Sequence, residues 1–274
     1  MKIRKLLPII LIAVLICCLP APAFALTANE VVFRAESKDN GDTSVEESTM
    51  ILIDARGRQR VRKYMRFRKD FGPDKKDEKS ISAFLHPADI KNTSYLTFEW
   101  DGDEKEDESW LYLPALKKVK RLASSDKSDA FLGSDFTYTD LKTSKRKFWD
   151  YTMVKESDPV DGKDCWLVEG LPKGGNKTKV LKETGYVKVR LWVQKDNFMK
   201  VKGKFWVKKG KRIKYYKASK IEKINGIWTA REMQMVTTKK KRKENTTILR
   251  IDKITYNSEL RDNFFTVQTL ESGI

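Results

Sequence analysis

Two residues in this chain have the chemistry of a nucleophile and its base, Cys165 and His86. A thiol deprotonated by an imidazole attacks acyl carbon. Cys165, however, lies in the run Asp164-Cys165-Trp166-Leu167-Val168, opposite in phase to Trp166, where it reads as a small buried hydrophobe. His86-Pro87 reads as the end of a strand. His86 is also the only histidine, which excludes a two-histidine metal site and leaves little room for zinc. The acidic run from Asp101 to Glu108 has the composition of a calcium loop. Lys105 stands where a third oxygen ligand belongs, and the sixth position is not glycine, so the run reads as a solvated hairpin turn. Lys239-Lys240-Lys241-Arg242-Lys243 reads as a charged hairpin tip, with attraction to an anionic membrane as the sharper alternative. No catalytic residue, metal or cofactor is expected, and the chain is not read as an enzyme.

The inventory offers apolar surface instead. Trp100, Trp110, Tyr112, Phe131, Phe136, Tyr138, Phe148 and Trp149 crowd the middle third of the chain. Together they suit an apolar cavity, because a wide curled sheet encloses more space than its own side chains fill. With the apolar faces of the neighbouring strands, the candidate lining is Met65, Phe67, Phe98, Trp100, Trp110, Tyr112, Phe131, Leu132, Phe136, Tyr138, Leu191 and Phe205.

The elements that must position these residues are strands. From residue 48 the pattern has period two. Val61, Met65 and Phe67 share one face of 60–68, while Arg60, Arg62, Tyr64, Arg66 and Arg68 share the other. In 186–193 the residues Val187, Val189, Leu191 and Val193 oppose Tyr186, Lys188, Arg190 and Trp192. In 199–207 the residues Met199, Val201, Gly203, Phe205 and Val207 oppose Lys200, Lys202, Lys204 and Trp206. Further strands are expected at 49–55, 81–86, 95–100, 109–113, 117–122, 151–156, 164–169, 212–222, 227–238 and 246–256. Asp101-Gly102, Asp161-Gly162, Gly174-Gly175-Asn176, Lys209-Gly210 and Asn225-Gly226 supply hairpin turns between them.

The expected fold is mainly β (α+β): one antiparallel meander curled into a half-open barrel over a single core, its basic side turned to water. Two segments break the alternation. Thr27 to Glu36 opens with a capping-box arrangement and predicts a short first helix. Residues 124–148 read as a loop with a short helix over an end of the sheet. Phe264 to Leu270 is an apolar tail that docks at an edge.

Residues 1–25 read as a cleavable signal peptide. Lys2, Arg4 and Lys5 precede an apolar run from Leu6 to Leu19, and Ala23-Phe24-Ala25 supplies the cleavage pattern. The run is too short for a span of roughly 20 residues, and no later segment is apolar enough to cross a membrane. Residues 26–274 then form one domain. Cys17 and Cys18 leave with the leader, so Cys165 has no partner for a disulfide. The formal net charge is +18. Export and the dispersal of the cations along strands argue against nucleic acid; anionic headgroups or an acidic envelope surface fit better, beside the plain reading of a solvated basic face.

Two long segments carry a family resemblance. Trp110-Leu111-Tyr112-Leu113-Pro114-Ala115-Leu116-Lys117-Lys118-Val119-Lys120-Arg121 resembles a W-x-Y-L-P…K-V-R-R motif. Phe131-Leu132-Gly133-Ser134-Asp135-Phe136-Thr137-Tyr138-Thr139-Asp140-Leu141 resembles F-x-G-S-D-F-x-Y-x-D-L. Both belong to the outer membrane lipoprotein-sorting proteins, a LolA-like family of the Gram-negative periplasm. The resemblance implies a half-open LolA/LolB-like barrel around helices, with a cavity for the acyl chains of a lipid or lipoprotein. It also implies traffic towards the outer membrane beside an exporter of the resistance-nodulation-division type. In structural terms Gly133 takes a tight turn, Ser134 or Asp135 caps the short helix, and Phe131 and Phe136 plug the barrel mouth or line the ligand's wall. The segment 124–148 is then the lid. The alternative is a non-enzymatic envelope accessory factor that docks on a membrane lipid exporter or an anionic surface through its basic face.

Overall fold

The computed structural model describes residues 25–102, 105–142 and 146–273. The stretch on which the signal-peptide reading rests lies outside the described residues, as do Asp103 and Glu104 of the acidic turn. All thirteen strands expected from the alternation are present: β1 (Thr43–Ile53), β2 (Gln59–Phe71), β3 (Asp77–His86), β4 (Ser94–Glu99), β5 (Glu108–Leu113), β6 (Lys118–Arg121), β7 (Trp149–Lys155), β8 (Cys165–Pro172), β9 (Tyr186–Gln194), β10 (Lys200–Val207), β11 (Arg212–Ile224), β12 (Ile227–Lys239) and β13 (Arg242–Tyr256). They form one antiparallel sheet in the order β6-β5-β4-β3-β2-β1-β13-β12-β11-β10-β9-β8-β7. Two meanders run outward from a central seam, where β1 pairs with β13 and Met50 faces Leu249.

Turn chemistry sets the hairpins. Asp161-Gly162 and Asn225-Gly226 both have two successive positive φ angles, as the tightest hairpin turns require, and Lys240-Lys241 adopts the same geometry at the basic tip. Gly174-Gly175-Asn176 departs from the hairpin reading. It makes a single 3-10 turn into the helix α2 (Lys177–Thr184). Only Val180 of α2 is buried, so the helix has no apolar period to betray it in the sequence. The first helix, α1 (Ala28–Glu36), carries the expected capping box of Thr27 and Glu30.

One core draws residues from β1–β5, β7–β10, β12 and β13, together with Val31 and Val32 of α1 and Val180 of α2. Residues from both wings share this core because the sheet curls around it. The edge strands β6 and β7 are consecutive in the chain, and the sheet does not close between them. The segment that joins them runs over the concave side in its described residues, 122–142 and 146–148. It passes through the core, and Phe131, Phe136 and Tyr138 are buried there.

The expectation of a single core with every cation turned to water needs correction. In β2 the buried inner face is the one carrying Tyr64, Arg66 and Arg68, while Val61 is 43% exposed. The reason lies far along the chain. The C-terminal tail, with α3 (Val267–Ser272), covers the outer face of this wing. Phe264, Phe265, Val267 and Leu270 pack there on Phe67, Ile81, Leu96, Phe98, Trp110 and Tyr112. Leu96 belongs to this outer cluster and its neighbour Tyr95 to the inner core, as successive strand residues must. A third cluster, of Cys165, Leu167, Trp192, Met199 and Val201, covers the outer face of the other wing.

Candidate functional site

Two chambers lie between the sheet and the crossing segment. The first, of 130 Å³, is walled by Phe136, Phe148, Trp149, Tyr151, Val180, Val189, Leu191, Phe205 and Met235. Its rim carries Glu36 at the end of α1, Glu183 of α2, Lys142 and Lys200. Two glycines shape the wall. A Cβ on Gly170 would stand 2.6 Å from the Tyr151 ring, and one on Gly203 would stand 2.7 Å from the Phe205 ring. Neither ring can lie against the sheet unless those side chains are absent.

The second chamber, of 300 Å³, adjoins the first; Phe136, Asp140 and Lys142 line both. Its floor is the inner face of β1–β4. Cross-strand pairing sets Glu46 beside Arg66 and Ser44 beside Arg68, and continues each row to Ser82 and Ser80. Arg68 is buried and fully engaged: its guanidinium donates to Asp70 at 2.5 Å, to the Asn40 carbonyl at 2.6 Å, and to Gly41. Burial pushes the Tyr64 hydroxyl up to about 12.

Burial also raises the pKa of Glu46, against the pull of Arg66 and Arg68 and with the repulsion of Glu78. Charging Glu46 thus costs more in the fold than in the unfolded chain, and stability falls as the pH climbs past the ordinary value near 4.5. A Glu46→Gln protein, unable to charge, should therefore gain stability relative to the parent between pH 4 and pH 7. Urea midpoints at the two pH values measure this. The same offset at both would show that Glu46 ionises as freely in the fold as in the unfolded chain.

The motif acids tether the crossing segment to the sheet. Asp135 does not cap a helix, as the sequence suggested; its amide donates to Thr247 Oγ1 of β13 at 2.9 Å, and that hydroxyl donates to its carboxylate at 2.8 Å. Asp140 accepts from the Tyr186 hydroxyl of β9 at 2.9 and 2.7 Å and from the Thr137 amide at 2.8 Å. The ammonium of Lys214 on β11 stands 3.9 Å from Asp140. Burial and the Asp140 carboxylate hold the Tyr186 hydroxyl well above its usual range, and burial draws Lys214 down. Leu132 and Gly133 both take positive φ, which makes the tight turn expected at Gly133. Ser134 Oγ bonds within that turn, donating to the Phe136 carbonyl at 3.1 Å.

The residues expected to line a cavity separate into two groups. Leu191, Phe205 and Phe136 wall the apolar chamber. Phe131 and Tyr138 pack on Tyr95, with ring centroids 5.6 and 5.1 Å away, and plug the other wing. Leu132 packs beside them, its carbonyl accepting from Arg62 at 2.6 Å. Phe67, Phe98, Trp110 and Tyr112 lie on the outer face beneath the tail, and Met65 shares that face of β2. Trp100 lies beyond the end of β4, in a cleft with Glu36 and Lys38. The alternation divides the two faces correctly but does not say which one the tail covers.

Tyr186 was misassigned for another reason. A register shift pairs Val207 with Tyr186 and Trp206 with Lys188, so the strand bulges at Val187 and Tyr186 turns inward. Cys165 lies on the outer face of β8 and His86 at the end of β3, with seven strands between them along the sheet. No group of His, Cys, Asp or Glu able to hold a metal occurs among the described residues.

The outer face of β9–β11 carries cations over rings. Lys188 and Lys204 stand 4.4 and 4.6 Å from the Trp206 centroid, and Lys202 stands 4.6 Å from that of Trp192.

A family model described as uncharacterized protein-like matches residues 76–272. Among solved structures, the chain is similar to a DUF1329 family protein from Desulfovibrio piger, with 31% identity and a TM-score of 0.78 over 89% of this chain and 97% of that one. It is also similar to a domain named for outer membrane lipoprotein sorting, from Vibrio parahaemolyticus, with 26% identity and a TM-score of 0.77 over 89% and 98% of the two chains. A LolA superfamily protein from Nitrosomonas europaea shares the fold, with 17% identity and a TM-score of 0.66 over 89% and 100%. A comparison with curated proteins gave no match. By its family-model match and its identity to the Desulfovibrio piger protein across most of both chains, this chain belongs to the DUF1329 family and has a LolA-like fold.

Proposed function

We propose that the protein is a carrier that shields the acyl chains of a lipid or lipoprotein in its apolar chamber on the way to the outer membrane. The chamber walled by Phe136, Leu191, Phe205 and Met235 carries this reading. The fold shared with a LolA superfamily protein and the likeness to a lipoprotein-sorting domain support it. Burying each methylene stabilises by about 0.8 kcal/mol, so even part of an acyl chain in the chamber gives useful affinity without any cofactor or chemistry. No helix among the described residues is long and apolar enough to cross a membrane. The compartment this reading implies is the periplasm of a Gram-negative cell; the leader-like pattern of residues 1–25 and the LolA-like fold support it. The compared structures give no support to an exporter partner.

A second reading, an envelope accessory factor that docks through its basic side, draws on the cations stacked over Trp192 and Trp206. Native mass spectrometry of protein purified from the cell envelope separates the two. The carrier leaves the cell with lipid bound and shows a mass increment that organic extraction removes. A mass equal to that of the bare chain would favour the accessory factor.

A further inference from the structure

The polar chamber beside the apolar one contains charged groups whose hydrogen-bonding capacity the protein leaves largely unused. Glu46 and Arg66 are direct cross-strand neighbours on its floor, yet no ion pair joins them among the described contacts. The guanidinium of Arg66 has five N–H donors. Among the described residues it reaches the Leu141 carbonyl at 3.5 Å and Glu78 at 3.7 Å. Among the described residues the Glu46 carboxylate accepts one hydrogen bond, from Ser44 Oγ at 3.5 Å. Arg68 on the same strand shows what a structural arginine looks like here, with short bonds to Asp70 and to two carbonyls. The Arg66 side chain is 25% exposed and Glu46 is half-buried, so both face the chamber with donors and acceptors open to a ligand that can replace the water there.

The charge of the lining sets the ligand's class. Glu46, Glu78 and Asp140 are balanced by Arg66, Arg68 and Lys142, so the chamber favours neither a net anion nor a net cation. It presents one sign of charge beside the other, on adjacent strands, next to a space suited to acyl chains.

We propose that the polar chamber takes the headgroup of the molecule whose chains fill the apolar chamber. That headgroup is zwitterionic, with its phosphate-like oxyanion on Arg66 and its ammonium on Glu46. The two parts meet at Phe136, Asp140 and Lys142, which line both spaces. This inference rests on the carrier reading.

The test is displacement of a fluorescent fatty acid from the purified protein by three dioctanoyl lipids: phosphatidylethanolamine, phosphatidylglycerol and diacylglycerol. Phosphatidylethanolamine should displace the probe at concentrations about tenfold lower than either of the others. In Glu46→Gln, which preserves shape, and in Arg66→Gln, that preference should collapse towards unity, with denaturation midpoints confirming that each variant folds. Equal displacement by phosphatidylethanolamine and diacylglycerol overturns the headgroup site and leaves the carrier standing. Phosphatidylglycerol as effective as phosphatidylethanolamine overturns the role of Glu46 and the zwitterion with it. Failure of the probe to bind, or of every lipid to displace it, overturns the carrier reading and this inference together.

Discussion

Asp140→Ala should cost about 3–5 kcal/mol of folding stability, the loss typical of removing one partner from a buried charged network. The side chains of Asp140 and Lys214 are only 10% and 11% exposed, so little water is available to replace the lost contacts. The variant leaves the Tyr186 hydroxyl without its acceptor, removes the cap on the Thr137 amide, and strands Lys214 inside the core. Of these, the two short bonds from Tyr186 matter more than the 3.9 Å approach of Lys214. Tyr186→Phe should cost less, about 1–2 kcal/mol, because Asp140 keeps the Thr137 amide and the nearby ammonium. The double variant should lose less than the two single losses added together, since the second substitution finds the bond already gone. Urea midpoints of the four proteins measure all of this. A loss below about 1 kcal/mol for Asp140→Ala would mean that the crossing segment is held by its aromatic residues and by the bonds at Leu132 and Asp135, with Asp140 contributing little.

A covalent lock between the crossing segment and β13 should slow exchange of bound fatty acid by about tenfold or more. Asp135 and Thr247 are the natural positions for it, since the Thr247 hydroxyl contacts both the amide and the carboxylate of Asp135. In the Asp135→Cys, Thr247→Cys protein the oxidised form should exchange slowly and the reduced form quickly. Comparing the two redox states of one protein removes the effect of the lost hydrogen bonds. Cys165 is buried on the outer face of the other wing and does not compete. Fast exchange in both states would show that the chamber fills without movement of this segment. Entry would then run past the rim formed by α1 and α2.

The strands were legible because alternation is a local property. Each of the thirteen shows it within its own residues, and the turns at Asp161-Gly162 and Asn225-Gly226 mark where one ends and the next begins. Which face would be inside was not legible in β2. Val61, Met65 and Phe67 look like a core face, and Arg62, Arg66 and Arg68 look like a solvated one. Phe264 and Phe265, some two hundred residues later, supply the cover that reverses the assignment. The candidate site divided along the same line. Leu191, Phe205 and Phe136 were recognised because their wing has a plain apolar inner face. Tyr186 was missed because a single bulged residue inverts the phase of everything before it. Glu46 and Arg66 were missed because a polar chamber and a wet surface leave the same alternating pattern in a sequence.

The segment joining β6 to β7 has a further geometric consequence. Hydrogen bonds link strand to strand around the chamber, but across the gap between the two edges the tie is covalent. Stretched out, the roughly 27 residues of that tie would reach about 90 Å, several times the width of any plausible gap in a sheet whose strands lie about 4.8 Å apart. Nearly all of that length is slack, taken up in the short turns around Phe131 and Thr139. The backbone therefore sets no practical limit on how far the two edges can part. The limit is set by side-chain fastenings, among them Arg62 on Leu132, Asp135 on Thr247 and Asp140 on Tyr186, and the aperture of the vessel is a question of how often those come undone.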